Sequence, residues 1–206
     1  MNPARTPRIT PDVCAILLAA GESRRMNGLK ALLPWQGRPL IAYQTATLLQ
    51  VAAQVLVVLG HAHEKLRPHI PDHPAVSVVV NPNYVQGRTS SIKAGLGYIS
   101  PQATALIIHS VDQPRPVALL QDLIDAHIQQ GSLITIPTYR GRRGHPPIFS
   151  LHLLSELKGI SEERAGLREL MTHHRKEILE LEFDSSAVLT DLNRPIDYQA
   201  AKRILL

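Results

Sequence analysis

The feature that most constrains this chain is the run Val13 to Leu18, VCAILL, followed at once by Ala19, Ala20 and Gly21. Six apolar residues in a row lack the alternation of a strand with one wet face, and β-branched Val13 and Ile16 favour a strand of this length. Such a run is buried on both faces, as in a parallel sheet covered by helices. The small residues after it let the backbone turn with almost no side-chain bulk. Ser23, Arg24, Arg25 and Lys30 come next. Peptide N–H groups in a small-residue turn approach an anion closely, and cations beyond the turn hold phosphate oxygens. The stretch therefore reads as a nucleoside triphosphate site. It is neither GxxxxGK[ST], since Ala31 follows Lys30, nor GxGxxG. A plain strand with a solvated basic loop is the alternative that the loop alone leaves open.

Four more apolar runs follow: Gln54 to Leu59, Val76 to Val80, Ala105 to Ile108 and Leu133 to Ile136. Helical patterns separate or follow them, at about Pro39 to Leu49, His61 to His69, Ile92 to Ile99, Val117 to Gln130, Leu151 to Leu157, Gly166 to His174 and Pro195 to Leu206. Glu177 to Phe183 reads as a strand, and 188–193 as a short extended piece. Strand and helix in alternation predict a three-layer α/β/α sandwich around a Rossmann-like, mainly parallel sheet. The stretch 138–183 lacks neat crossover helices and is expected to insert a small antiparallel element. No linker divides the chain, so 1–206 is read as a single domain, with 1–11 as a flexible lead-in.

Bulk properties narrow the function. The net charge is +5, but the cations are scattered and aromatics are only 4%, so base-stacking platforms are scarce. Anionic small substrates account for the surplus, and no nucleic-acid partner is expected. The longest apolar run falls far short of the roughly 20 residues a bilayer needs. The N-terminus has two arginines and no apolar core behind them, unlike a signal peptide. One cysteine, Cys14, allows no internal disulfide, and inside a strand it reads as a small buried hydrophobe. A cytoplasmic location without membrane partners is the expectation.

Three further places carry chemistry. Asp112 follows the Ala105 strand, at the carboxyl edge where α/β sheets place ligands. It reads either as a ligand for a hard cation such as Mg²⁺ or as the cap of the helix beyond QPRP. Asn81, Pro82, Asn83 and Gly87 form a turn-rich loop, after which Thr89, Ser90 and Ser91 cap a helix or leave its N–H groups for an anion. His145, between glycine and proline in the arginine-rich 140–147 loop, is not explained by a solvated tip.

LLAAGESRRMNGLKALLPWQGRPLI resembles the opening of the MobA-like nucleotidyltransferases, LAAGxSxRMGxxK then LLPxxGxPLI, in the branch of molybdenum cofactor cytidylyltransferases. The likeness continues through VVNPNYVQGRTSSIKAGL, VDQP, GRRGHPPIF and VLTDLNRPIDY, the last against LLDIDTPEDY. It implies Mg²⁺-dependent transfer of a nucleoside monophosphate to a phosphate, with release of pyrophosphate. By resemblance, Ala19, Ala20, Gly21 and Ser23 line the nucleotide pocket. Arg25 holds the β- and γ-phosphates, Lys30 the α-phosphate, and Asn81, Gly87 and Ser91 lie near base and ribose. Asp112 and Asn193 hold the metal, while Gly144 and His145 face the acceptor. The LAAG form implies CTP rather than GTP, with a molybdopterin-type acceptor and a molybdoenzyme or its chaperone as a further partner. The chain departs from the pattern at Asn27, which stands where the family has glycine, and at Asn193, which stands where it has an acid. The readings kept beside this one are transfer to another phosphorylated metabolite, such as a sugar or alcohol phosphate, and nucleotide or cofactor binding without turnover.

Overall fold

The computed structural model describes residues 8–23, 25, 26 and 28–205. Residues 1–7, Arg24, Asn27 and Leu206 lie outside the described residues. Strand β1 (Thr10–Ala19) is the axis of the molecule. The elements after it are a two-stranded hairpin of β2 (Pro34–Trp35) and β3 (Arg38–Pro39), then α1 (Leu40–Leu48), β4 (Ala52–Leu59), α2 (His63–Leu66), β5 (Val76–Val80) and α3 (Arg88–Leu96). The chain continues through β6 (Ala105–Ser110), α4 (Val117–Gln130), β7 (Ile134–Tyr139), β8 (Arg142–Arg143) and β9 (Ile148–Ser150). It ends with α5 (Leu154–Gly159), α6 (Leu167–His173), β10 (Ile178–Glu182) and α7 (Pro195–Leu205).

The main sheet runs β10-β7-β9-β6-β1-β4-β5, with β8 paired to β7. β1 is parallel to both neighbours, with Leu17 beside Val57 of β4 and His109 of β6. The chain winds outward from β1 through β4 to β5, then returns to the other side of β1 for β6. A crevice opens at such a switch point, outside the carboxyl ends of the central strands. Strand β9 is the expected antiparallel insertion: Phe149 pairs with Leu106 of β6 and with Ile134 of β7.

Alternation along β1 builds two cores. Val13, Ala15 and Leu17 pack with Leu40 and Leu48 of α1, Leu120 and Leu123 of α4 and Tyr198 of α7. Cys14, Ile16 and Leu18 pack with Ile92 and Leu96 of α3, Leu157 of α5 and Leu170 of α6. The part of this central strand that is buried on both faces, residues 13–19, needs no polar residue and carries none. Burial also pushes the Cys14 thiol up to about 12, so it is no nucleophile.

Several local expectations shift. The Ile92–Ile99 helix is α3, Arg88–Leu96, so Thr89, Ser90 and Ser91 lie inside its first turn rather than before it. The extended piece at 188–193 begins as a 3₁₀ turn, Ser186–Leu189. Of the expected lead-in, Arg8 donates to Gln121 and Asp125 of α4, and β1 already starts at Thr10.

His127 on α4 lies buried with its Nδ1 2.8 Å from Thr135 Oγ1, and burial lowers its pKa from 6.5 to about 4. The folded state holds this ring neutral, so its contribution is complete above pH 6.5 and is lost as pH falls toward 4. At 1.36 kcal/mol per unit the full loss approaches about 3 kcal/mol. Urea melts at pH 7 and pH 4.5 are expected to show that drop. The His127→Gln variant should show a smaller one.

Candidate active site

The cleft lies at the switch point. Leu18, Ala19, Ala20, Gly21 and Ser23 form one wall, Ser110, Val111 and Asp112 the other, and Leu66, Tyr84, Gly87, Arg88 and Ser91 the far end; its volume is about 310 Å³. Backbone bonds fix the walls. Val111 N–H donates to Leu18 O at 3.0 Å and His61 N–H to Ala20 O at 3.0 Å. Ser23 is held at φ +56°, a region few non-glycine residues adopt, and its Oγ accepts from Lys30 N–H at 3.1 Å. That bond aims the first turn of the 3₁₀ segment Lys30–Leu32 back at the cleft.

Three side chains meet at the cleft's edge. Lys30 Nζ donates to Asp112 Oδ2 at 2.9 Å and to Asn193 Oδ1 at 2.9 Å. The contact spans 82 residues on one side and 163 on the other, so only the fold brings it about. Leu192 N–H donates to Asp112 O at 2.8 Å and carries Asn193 alongside. Asp112 is not a helix cap, because α4 starts from Pro116 four residues later.

The other expected residues divide. Ala19, Ala20, Gly21, Ser23, Gly87 and Ser91 line the cleft, whereas Arg25, exposed on the turn, does not. Asn81 is buried, and its amide donates to Ser90 Oγ at 2.9 Å and Ser91 Oγ at 3.0 Å, tying the end of β5 to α3. Gly144 does not open onto a cavity. A Cβ there would meet Val188 O at 2.4 Å, and that close approach is its constraint. His145 lines a second cavity, described below.

Composition and spacing gave no sign of Arg88, Arg115 or Glu162. Glu162 Oε1 accepts from Thr89 N–H at 2.6 Å and caps α3 across 73 residues, so that N–H is not free for an anion. Gly87 sits at φ +102°, and a Cβ on it would strike Glu162 at 2.6 Å. Arg115 is fully buried and hydrogen-bonds four backbone carbonyls, with its pKa lowered to about 10 by burial, against the pull of Asp191 and Asp112. His109 on β6 is also fully buried, and burial and then Arg115 hold its ring neutral.

With this geometry in hand, the profile of the MobA-like NTP transferase domain matches residues 15–178. The chain belongs to that family. As a MobA-like protein it is a nucleotidyltransferase, and its sheet and helices are those of the nucleotide-diphospho-sugar transferase fold. The molybdenum cofactor cytidylyltransferase of Escherichia coli (strain K12) is 25% identical over 190 residues, 91% of this chain and 94% of that one. The nicotine blue oxidoreductase of Paenarthrobacter nicotinovorans is 30% identical over 172 residues, 77% and 80% of the two chains. The crystal structure of Rv0371c from Mycobacterium tuberculosis H37Rv in complex with manganese superposes with a TM-score of 0.73 at 26% identity, over 92% of this chain and 97% of that one.

Proposed function

We propose that this MobA-like enzyme transfers CMP from CTP to the phosphate of a molybdopterin-type cofactor and releases pyrophosphate, with Mg²⁺ as its metal. The observation that carries the reading is the meeting of Lys30, Asp112 and Asn193 beside a small-residue turn. The Lys30 ammonium marks a point where two oxygen donors, one of them charged, already hold a cation. A hard divalent ion wants such donors, so Asp112 and Asn193 fit it as ligands. When bound, the ion neutralises charge on the phosphates during transfer. Support for CTP comes from the LAAG form of the turn and from the likeness to a cytidylyltransferase.

The chain's own residues do the rest. The Ala19–Gly21 turn admits the triphosphate close to the backbone. Lys30 leaves Asp112 and Asn193 for the α-phosphoryl oxygens, where negative charge accumulates. Arg25, on its exposed turn, folds over the departing pyrophosphate. An oxygen of the acceptor phosphate forms the new bond to the α-phosphorus, and the α–β bridging oxygen leaves with its electron pair. The attacking phosphate is already ionised, so positioning and charge neutralisation suffice without a general base. The reaction suits the cytoplasm, with a molybdoenzyme or its chaperone taking the product.

A thermal-shift panel tests the reading. At a hundredfold excess over Kd, a native-state ligand adds about 2.7 kcal/mol, or roughly 5–10 °C for a chain of this size. CTP with Mg²⁺ is expected to give the largest shift. Equal shifts from GTP and CTP would remove the base preference. Kinship with an oxidoreductase favours a second reading, in which the cleft holds a redox nucleotide. A larger shift from NADH or NADPH than from any triphosphate would establish that one.

A further inference from the structure

A second cavity, about 380 Å³, adjoins the cleft, and Arg88 belongs to the lining of both. Ile92, Pro147, Leu167 and Met171 give this cavity an apolar wall, while Arg88, Arg168 and His145 give it a polar one. Arg88 is exposed, but into the space between the two cavities. Its guanidinium makes no hydrogen bond or ion pair with the described residues, although Asp112, Asp191 and Glu162 all act on it through space. Glu162 is already committed to Thr89 N–H, and Asp112 to Lys30. His145 Nδ1, at the cavity wall, finds no partner among the described residues either. A forked five-donor cation with no partner, backed by carboxylates engaged elsewhere, is built to receive a phosphate oxygen pair.

We infer that this second cavity seats the acceptor, a phosphomonoester on a flat ring body with polar edges, and that Arg88 grips its phosphate at the border with the nucleotide cleft. The inference rests on the nucleotidyl-transfer reading and adds the seat of the second substrate. Transfer brings two anions within bonding range, where like charges repel strongly unless a cation stands between them. A guanidinium shared by both cavities offsets that repulsion at the place where it arises. Ile92, Leu167 and Met171 remove the organic body from water. Glu162 ties this wall to α3 and so holds Arg88, the first residue of that helix, at the border.

The test separates acceptor from donor. Arg88→Met keeps the length and loses the charge, and Arg88→Lys restores a point charge without the fork. Phenyl phosphate, a phosphomonoester on a flat apolar ring, is titrated into the full chain, and the nonhydrolysable α,β-methylene analogue of CTP is titrated separately. In Arg88→Met, phenyl phosphate binding is expected to weaken at least tenfold, several times more than binding of the CTP analogue, with Arg88→Lys in between. With molybdopterin and CTP as substrates, KM for molybdopterin rises tenfold or more and KM for CTP rises several times less. Unchanged phenyl phosphate binding in Arg88→Met overturns the inference, as does a loss that falls on the CTP analogue instead. A wild type that binds phenyl phosphate through Arg88 yet releases no pyrophosphate sinks the transferase reading and leaves the anion seat standing.

Discussion

Asp112→Ala is expected to lower pyrophosphate release about a thousandfold, and Lys30→Ala to do nearly the same, with both proteins still folded. On the proposed mechanism each change removes one of the groups aimed at charge that develops on the α-phosphate, and single charge-stabilising groups in such sites are worth about 10²–10³ in turnover. The fold tolerates both because the pair is only partly buried, with side-chain exposures of 13% for Lys30 and 23% for Asp112. Losing an ion pair so near the surface costs on the order of 1 kcal/mol. Rates that stay within tenfold of wild type in either variant would refute the assignment. The two variants part company in metal binding. The Lys30 ammonium holds the Asp112 and Asn193 oxygens that are proposed as ligands of the divalent cation. Its removal is therefore expected to tighten Mn²⁺ binding, read by electron paramagnetic resonance, while Asp112→Ala weakens it. Equal Mn²⁺ affinity in all three proteins would mean that Lys30 and the metal do not share a place.

Much of the frame was legible because it is local. An apolar hexapeptide and an Ala-Ala-Gly turn announce a doubly buried strand and a tight exit, and both are where the sequence places them. Asp112 was also readable, as a lone carboxylate at the end of an apolar run. What the sequence hid is long-range. Thr89, Ser90 and Ser91 look like caps for the helix after them, yet a carboxylate 73 residues away supplies the cap, so α3 starts earlier than its hydroxyls imply. Once capped by Glu162, Arg88 is the first residue of that helix, at the border of two cavities, where an arginine in a turn-rich loop had no visible purpose. Asn81, placed near base and ribose by resemblance, also ties β5 to α3, its amide donating to two serines. For the start of α3 the deciding partner is remote in sequence, and no local pattern encodes it.

Arg115 shows how far such a remote set of contacts reaches. It sits between Pro114 and Pro116, where a reader expects a solvated turn, and it is the only fully buried arginine among the described residues. Its Nε donates to His145 O at 2.9 Å, Nη1 to Pro114 O at 2.9 Å and Thr190 O at 2.7 Å, and Nη2 to Val188 O at 3.0 Å. Those carbonyls belong to the three segments that carry Asp112, His145 and Asn193. Arg115→Met fills much of the same volume but leaves four carbonyls without their donor, and breaking a buried charged network of this kind costs about 3–5 kcal/mol. For a chain of this size the melting temperature is expected to fall by roughly 10 °C. Arg115→Lys recovers only part, since one ammonium cannot reach carbonyls spread around a planar fork. Below the lowered melting point, turnover is still expected to drop at least tenfold, because Asn193 and His145 lose a common anchor. A variant within 1 kcal/mol of wild type, and equally active, would mean that the three segments hold one another without the guanidinium between them.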